Sequence, residues 1–308
     1  MEKKKIIVAG SSNTDLVIRV NHIPQPGETI IGQDFMTNQG GKGANQAVAA
    51  AAMGDGVVFI ARLGDDTFGH TSKEILASRG IDTRFVSLTP GTPTGCAMIA
   101  VDDRGENSII VAGGANALLS RADIDAASAV IEEGALLLMQ LESPIDTLVY
   151  AAEKAHAAGV MVVLNPAPFP QEPLPQALLR NVDLIIPNET EAARMTGLPV
   201  QTEEEIRQAM LAIVEMGVEQ VIITAGAAGS YALSDGAFYH QDAYPVTPVD
   251  TTAAGDTYCG TLCVALRDGC PLPQAMQRAS VAASLSTTRM GAWNSIPSRS
   301  EVERCLGD

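Results

Sequence analysis

Aromatic residues make up only 4% of this 308-residue chain, with a single tryptophan, Trp293. That leaves little material for stacking nucleic-acid bases. Positive charge is also scarce: 20 Lys and Arg stand against 36 Asp and Glu, a net charge of −16. Such a surface repels phosphate backbones and disfavours nucleic acid as a partner. It repels an anionic nucleotide at long range too, so a ligand of that kind needs a local positive field. The five cysteines, Cys96, Cys259, Cys263, Cys270 and Cys305, form no CxxC pair. An odd count argues against a full disulfide framework, and they read as small buried hydrophobes of a reducing cytosol. His22, His70, His156 and His240 lack metal-ligand spacing. GxSxG, HExxH and a GxGxxG after the first strand are all missing, which speaks against hydrolase and dehydrogenase chemistry. No apolar run reaches membrane-spanning length, and that of MEKKKIIVAG is too short for a secretory signal. The expectation is a cytoplasmic protein without a membrane partner.

What is present points to an α/β fold. Hydrophobic residues reach 46% and charged ones only 18%, enough for a sizeable core. Short continuous apolar runs recur at IIVA (6–9), VVFIA (57–61), ALLLM (135–139), VMVVL (160–164), DLIIP (183–187) and QVIIT (220–224). Helix-like stretches lie between them, at 43–53, 68–79, 120–133, 145–158, 202–216 and 273–288. Strands apolar on both faces that alternate with helices predict a doubly wound, mostly parallel sheet flanked by helices. Two segments break the pattern. Residues 15–40 carry Pro24, Pro26 and Gly27 between strand-like pieces, and 94–111 read as a hairpin turning at Asp103-Arg104-Gly105. They predict a small β-sheet lid, residues 13–40 and 94–111, over a main domain of 1–12, 41–93 and 112–308.

Ligands of parallel sheets gather beyond the carboxyl ends of the strands. Here the apolar runs are followed by Asn13 and Asp15, Gln140 and Glu142, Asn165, Asn188 and Glu191, and Thr224 and Gly226. Singly, each is an ordinary loop opening. As a set they predict one rim of amides and carboxylates, suited to a neutral, hydroxyl-rich ligand.

Two stretches carry more specific chemistry. In NQGGKGANQAVAAAAM (38–53), Gly40, Gly41 and Gly43 permit close backbone approach before a helix that begins near Ala44. The turn is a tight strand-to-helix connection or an oxygen-binding helix N-terminus to which Lys42 and Asn45 add donors. It is not a Walker A loop, because no Ser or Thr follows the lysine. In DTTAAGDTYCGTL (250–262), Tyr258, Leu262, Ala265 and Leu266 follow helical spacing, which puts Ala253-Ala254-Gly255 at a helix N-terminus. Bare amides there would cradle a phosphoryl group. Asp256 beside them is either an acid complementing the helix dipole or a base that takes a proton from an attacking hydroxyl.

GGKGANQAVAAA (40–51) and DTTAAGDTYCG (250–260) resemble the two signatures of the ribokinase-like carbohydrate kinase family. NTD (13–15), LLMQLESP (137–144), LNPAP (164–168) and PNETEA (187–192) extend the resemblance, in order, from near residue 6 to near residue 300. The resemblance implies transfer of the γ-phosphoryl of ATP to the terminal hydroxymethyl of a pentose, giving ribose 5-phosphate from ribose. It implies Asp256 as catalytic base and Ala253, Ala254 and Gly255 as anion hole. Asn13, Asp15, Gly41, Lys42, Gly43, Asn45 and Glu142 would bind the sugar; Asn188, Thr224, Gly226, Gly229, Gly255 and Ser280 would contact the nucleotide. Glu191 would hold Mg²⁺ through water, and Asp250, Thr252, Ser286, Arg289, Gly291 and Ser295 would bind K⁺. The lids would pair two subunits into a homodimer.

The chain also departs from the family pattern. Thr261 follows Gly260 where a second small residue is usual; its added bulk would crowd a neighbour, or its hydroxyl would bond back to a carbonyl one turn earlier. Cys259 stands where such kinases often have Asn, and Ser280 where His or Asn is common near the adenine. Trp293-Asn294 replaces a more usual Gln-Pro in the cation loop, and Trp293 is expected to pack over that loop. Two alternatives stay open: a kinase for deoxyribose, a hexulose or a nucleoside, and a non-catalytic sugar-binding regulatory protein on the same fold.

Overall fold

A computed structural model describes residues 4–307. In chain order its strands are β1 (Ile6–Ala9), β2 (Asn13–Arg19), β3 (Phe35–Gly40), β4 (Val57–Gly64), β5 (Asp82–Thr89), β6 (Gly95–Val101), β7 (Asn107–Ala112), β8 (Leu136–Met139), β9 (Met161–Leu164), β10 (Leu184–Ile185), β11 (Gln220–Thr224), β12 (Ser230–Ser234) and β13 (Ala237–Gln241). The helices are α1 (Lys42–Met53), α2 (Thr67–Ser78), α3 (Arg121–Ala126), α4 (Ser128–Glu132), α5 (Ile145–Ala157), α6 (Gln176–Leu179), α7 (Glu189–Thr196), α8 (Glu203–Glu215), α9 (Ala254–Arg267), α10 (Leu272–Ser286) and α11 (Arg299–Gly307).

Nine strands form one sheet in the order β13-β12-β11-β10-β9-β8-β1-β4-β5. All pairs from β11 to β5 are parallel, and β12 and β13 continue the sheet antiparallel. Alternation of side chains divides its core in two. Ile6, Val8, Leu136 and Leu138 face α1, α9 and α10, while Ile7, Ala9, Leu137 and Met139 face α5 and α8. This is why the runs show no period-two pattern: both faces are dry. Glycine lets two helices meet closely on the first face. A Cβ at Gly260 in α9 would lie 2.5 Å from the Gln46 carbonyl oxygen in α1.

β2, β3, β6 and β7 form the second sheet, in the order β3-β2-β6-β7. The hairpin turns where expected, with the Gly105 N–H donating to Asp102 O. Asp102 also takes the N–H groups of Arg104 and Glu106 on its carboxylate.

Some expectations are corrected. The stretch 120–133 is two short helices with a turn at Ala127, a break that leaves Ile124, Ala127 and Ile131 all buried in one core. Helix α1 starts at Lys42 rather than near Ala44, because Gly41 at φ 88° ends the turn one step earlier. The strand in DLIIP is two residues long, ending just ahead of Pro187, which has no N–H to donate. β5, β12 and β13 were not anticipated; they lie at the two ends of the sheet. No helix among the described residues is long and apolar enough to cross a membrane.

Candidate active site

The two signature stretches meet. Helix α1 brings Asn45 and Gln46 against the third residue of α9, Asp256, which is buried. Asn45 Nδ2 donates to Asp256 Oδ2 at 2.8 Å, and Gln46 Nε2 donates to Asp256 Oδ1 at 2.9 Å. Gln46 Nε2 also donates to Asn165 Oδ1 at 3.0 Å, and Gln46 Oε1 accepts from Gln140 Nε2 at 2.6 Å. Each carboxylate oxygen thus has a neutral donor.

A cleft of about 200 Å³ opens beside this carboxylate, lined by Lys42, Asn165, Asn188, Glu191, Thr224, Thr251, Ala253, Ala254, Gly255, Asp256 and Cys259 among others. Ala253 caps α9 in the left-handed conformation (φ 59°), and no side chain among the described residues caps this helix. A Cβ at Gly255 would meet no protein atom within 4 Å, so the bare backbone faces open space. That suits an incoming anion. The Ala254 N–H donates to Thr251 O, outside the helix, at 3.2 Å, because the chain turns tightly into the helix there.

Lys42 supplies the local positive charge. Burial pulls its ammonium down, but Asp256, Glu142 and Glu191 together outweigh burial and hold its pKa above the ordinary lysine value. Asn188 and Glu191 close a capping box on α7: Asn188 Oδ1 accepts from the Glu191 N–H at 2.8 Å, and Glu191 Oε2 accepts from the Asn188 N–H at 2.9 Å. Burial raises the Glu191 carboxyl above its usual range, against the pull of that N–H. Thr224 bridges to Asn188 across the strand ends, and Gly226 and Gly229 form the turn that follows.

A second group gathers where the two sheets join. Asn13 opens β2 and pairs with Gly40 and Gly95. Its Oδ1 accepts from Asn116 Nδ2 at 2.7 Å. Gly41 is obligatory at this junction: besides its positive φ, a Cβ there would lie 2.6 Å from the Asn13 nitrogen. Gly43 packs equally closely on Ser11. Glu142 Oε2 accepts from the Lys42 N–H at 3.0 Å and from the Ser11 hydroxyl. Burial, with Glu142 as a like-charged neighbour, pushes the Asp15 carboxyl up to about 6.

A third group lies around Asp250. Its Oδ1 accepts from the Thr252 N–H at 2.9 Å and its Oδ2 from the Gly291 N–H at 2.8 Å. The Val249 and Asp250 N–H groups both donate to Thr287 O. Ser286 and Ser295 turn their hydroxyls to the carbonyls of Ala283 and Ala292, and the Arg289 guanidinium pairs with Glu301. This leaves main-chain oxygens as the hard donors of the loop.

Three positions that depart from the family pattern have defined surroundings. Ser280 donates its hydroxyl to Asp242 O at 2.8 Å and does not line the cleft. Thr261 Oγ1 has no hydrogen-bond partner among the described residues, so the bond to a carbonyl one turn earlier is not made; the residue borders a separate cavity of about 100 Å³. Trp293 does more than cover a loop, since its Nε1–H donates to Asn45 Oδ1 at 2.8 Å. Gln46 was overlooked. It sits inside an alanine-rich helix, where a lone amide gives no periodic signal.

Residues 3–299 match the pfkB family of carbohydrate kinases. The chain is 42% identical to a ribokinase of Haemophilus influenzae over 300 residues, 97% of each protein. It is 37% identical to a deoxyribokinase of Salmonella typhimurium over 301 residues, 98% of each. Its fold superposes with a TM-score of 0.93 on Arabidopsis thaliana ribokinase complexed with ribose and ATP, at 34% identity over 100% of both chains. The Thermotoga maritima ribokinase follows at a TM-score of 0.90 and 35% identity, over 99% of this chain and 100% of that one. The chain belongs to the pfkB family of carbohydrate kinases and is a sugar kinase, a transferase.

Proposed function

We propose that this chain phosphorylates D-ribose at its 5-hydroxyl with ATP as donor. One observation carries the reading: a buried carboxylate, Asp256, is held by two amides at the mouth of an uncapped helix N-terminus, in a cleft that also contains Lys42. The relative solved with ribose and ATP supports both substrates, as do the curated ribokinases. The sugar would lie against Asn13, Asp15, Gly41, Gly43, Asn45 and Glu142, and the nucleotide along Asn188, Thr224, Gly226 and Gly229. Asp256 accepts the proton of the 5-hydroxyl as its oxygen attacks the γ-phosphorus, the bond from that phosphorus to the β,γ-bridging oxygen breaks, and ADP leaves. Ala253, Ala254 and Gly255 offer the helix N-terminus to the migrating phosphoryl group, and Lys42 adds a full charge. Phosphoryl transfer needs mainly such positioning and charge stabilisation.

Two cations fit the residues present. Mg²⁺, which neutralises the phosphates of ATP when bound, would be held through water by Glu191, a hard carboxylate on the cleft wall. K⁺ would sit among Asp250, Thr252, Ser286, Arg289, Gly291 and Ser295, whose carboxylate and main-chain oxygens suit a hard cation. The small sheet would act as a lid that excludes water as a competing acceptor. One of its faces carries Phe35, Met98 and Ile110 and the other Ile109 and Val111, all exposed, apolar surface fit for pairing with the lid of a second copy.

A second substrate, deoxyribose, is favoured by the deoxyribokinase relative. Against it, a sugar lacking the 2-hydroxyl leaves Asp15 short of a donor. A coupled ATP-consumption assay with ribose against deoxyribose, with and without potassium, tests the reading. Higher kcat/KM for ribose supports it, and higher kcat/KM for deoxyribose overturns it. Equal rates in potassium and in choline would remove the K⁺ assignment alone.

A further inference from the structure

The Asp256 carboxylate is connected to the chain's single tryptophan through one intermediate side chain. Trp293 lies between α10 and α11 and is 4% exposed. Its Nε1–H donates to Asn45 Oδ1, and Asn45 Nδ2 donates to Asp256 Oδ2, both at 2.8 Å. An indole N–H can only donate, whereas an amide has both a donor end and an acceptor end. Trp293 therefore decides which way the Asn45 amide points: oxygen to the ring, NH₂ to the carboxylate. Without that donor the amide is free to flip, and its oxygen would then face the carboxylate oxygen. On the other carboxylate oxygen the Gln46 amide meets Gln140, itself an amide with both ends, so only the indole contact is donor-only.

Trp293 also belongs to the loop that Asp250 grips through the Gly291 N–H. The Arg79 guanidinium lies 5.9 Å from the ring centroid, and Arg79 Nη1 donates to Trp293 O at 3.4 Å. Arg79 thus contacts both the ring and the main chain of Trp293, whose N–H is aimed at Asn45.

We propose that Trp293 is a positioning residue for phosphoryl transfer. It locks the Asn45 amide, orients the Asp256 carboxylate through it, and so couples the 287–298 loop to the reacting centre. The inference rests on Asp256 being the base.

Trp293→Phe keeps a ring and removes the donor. Trp293→Gln removes the ring and restores a side-chain N–H. Misplacing a reacting group slightly costs up to about 100-fold, so W293F is expected to lose ~10- to 100-fold in kcat with a smaller rise in sugar KM, since Asn45 also borders the proposed sugar site, and with Tm little changed. W293Q is expected to show the lower Tm but the higher kcat of the two. The reverse ranking, with W293F turning over like the parent, overturns the proposal. A readout that does not depend on either variant folding comes from the single tryptophan, which gives one indole N–H resonance in isotope-labelled protein. In Asn45→Ala that resonance should move and its proton should exchange faster with solvent; an unmoved, equally protected proton overturns the proposal. Asp256→Asn separates the two levels. Parent-like turnover in D256N would remove the base itself, while an inactive D256N beside a fully active W293F would remove only the role of Trp293.

Discussion

In the nine-stranded sheet Ile6, Ile7, Val8 and Ala9 are all fully buried, whereas in the four-stranded sheet all six residues of β7 are exposed. Both sheets are rich in aliphatic side chains, yet only the first has helices on each face. Apolar area removed from water stabilises a fold by about 25 cal/mol per Å², so the large sheet holds the chain together. Ile110, 70% exposed, and Phe35, 65% exposed, contribute little of this kind to the monomer. The difference separates residues that hold the site in place from residues available to something outside it.

Substitutions can break that contrast or sharpen it. The largest effect is expected at the site that both sheets border. General-base help contributes about 100- to 10,000-fold, so Asp256→Asn should reduce kcat by that order while calorimetry still detects sugar binding. Within the large sheet, Phe59 is fully buried, and Phe59→Ala should cost about 3–5 kcal/mol in denaturant unfolding.

At the junction of the sheets, the Asp15 carboxyl is raised from 3.8 to about 6 by burial and by Glu142. The folded chain therefore holds this proton more tightly than the unfolded chain. The corresponding stabilisation is present below the unfolded value of 3.8 and is lost as pH rises through about 6. Sugar binding has the opposite sign, since an ionised Asp15 is the better acceptor of hydroxyl donors. KM for ribose should rise as pH falls below about 6, and Asp15→Asn should flatten that dependence. The smallest change in stability is expected on an exposed face of the small sheet. Ile110→Ser should shift unfolding by no more than about 0.5 kcal/mol, yet light scattering should show the proposed lid-paired dimer weakened. A dimer left intact would remove the lid-pairing proposal.

How much of this was legible depended on periodicity and on sequence distance. IIVA, ALLLM and VMVVL announced buried parallel strands because nothing polar interrupts them. DTRFVSLT, which forms β5, did not, because an edge strand is wetted and mixes polar with apolar residues. The bare amides and the acid of the 253–256 stretch were visible as a local anomaly. The contacts of Asn45 with Asp256 and Trp293 span 211 and 248 positions, which no local pattern encodes. Gln46 was silent for the same reason, and Asn188 with Glu191 read as a ligand motif while also closing a capping box.

The small sheet meets the body of the molecule along one border only. Gly40, Asn13 and Gly95 stand side by side in the strand register, and Cys96 pairs with Ala112 next to them. All four chain crossings between the sheets fall at this row, while the 20–34 loop and the 102–106 turn project from the far end. A plate fastened along a single edge swings like a door on its hinge. Such a hinge line would run through Asn13, beside Gly41, so any tilt of the plate would act as a lever on the mouth of the proposed sugar site. The tip near Arg104 would travel furthest, and the hinge residues hardly at all.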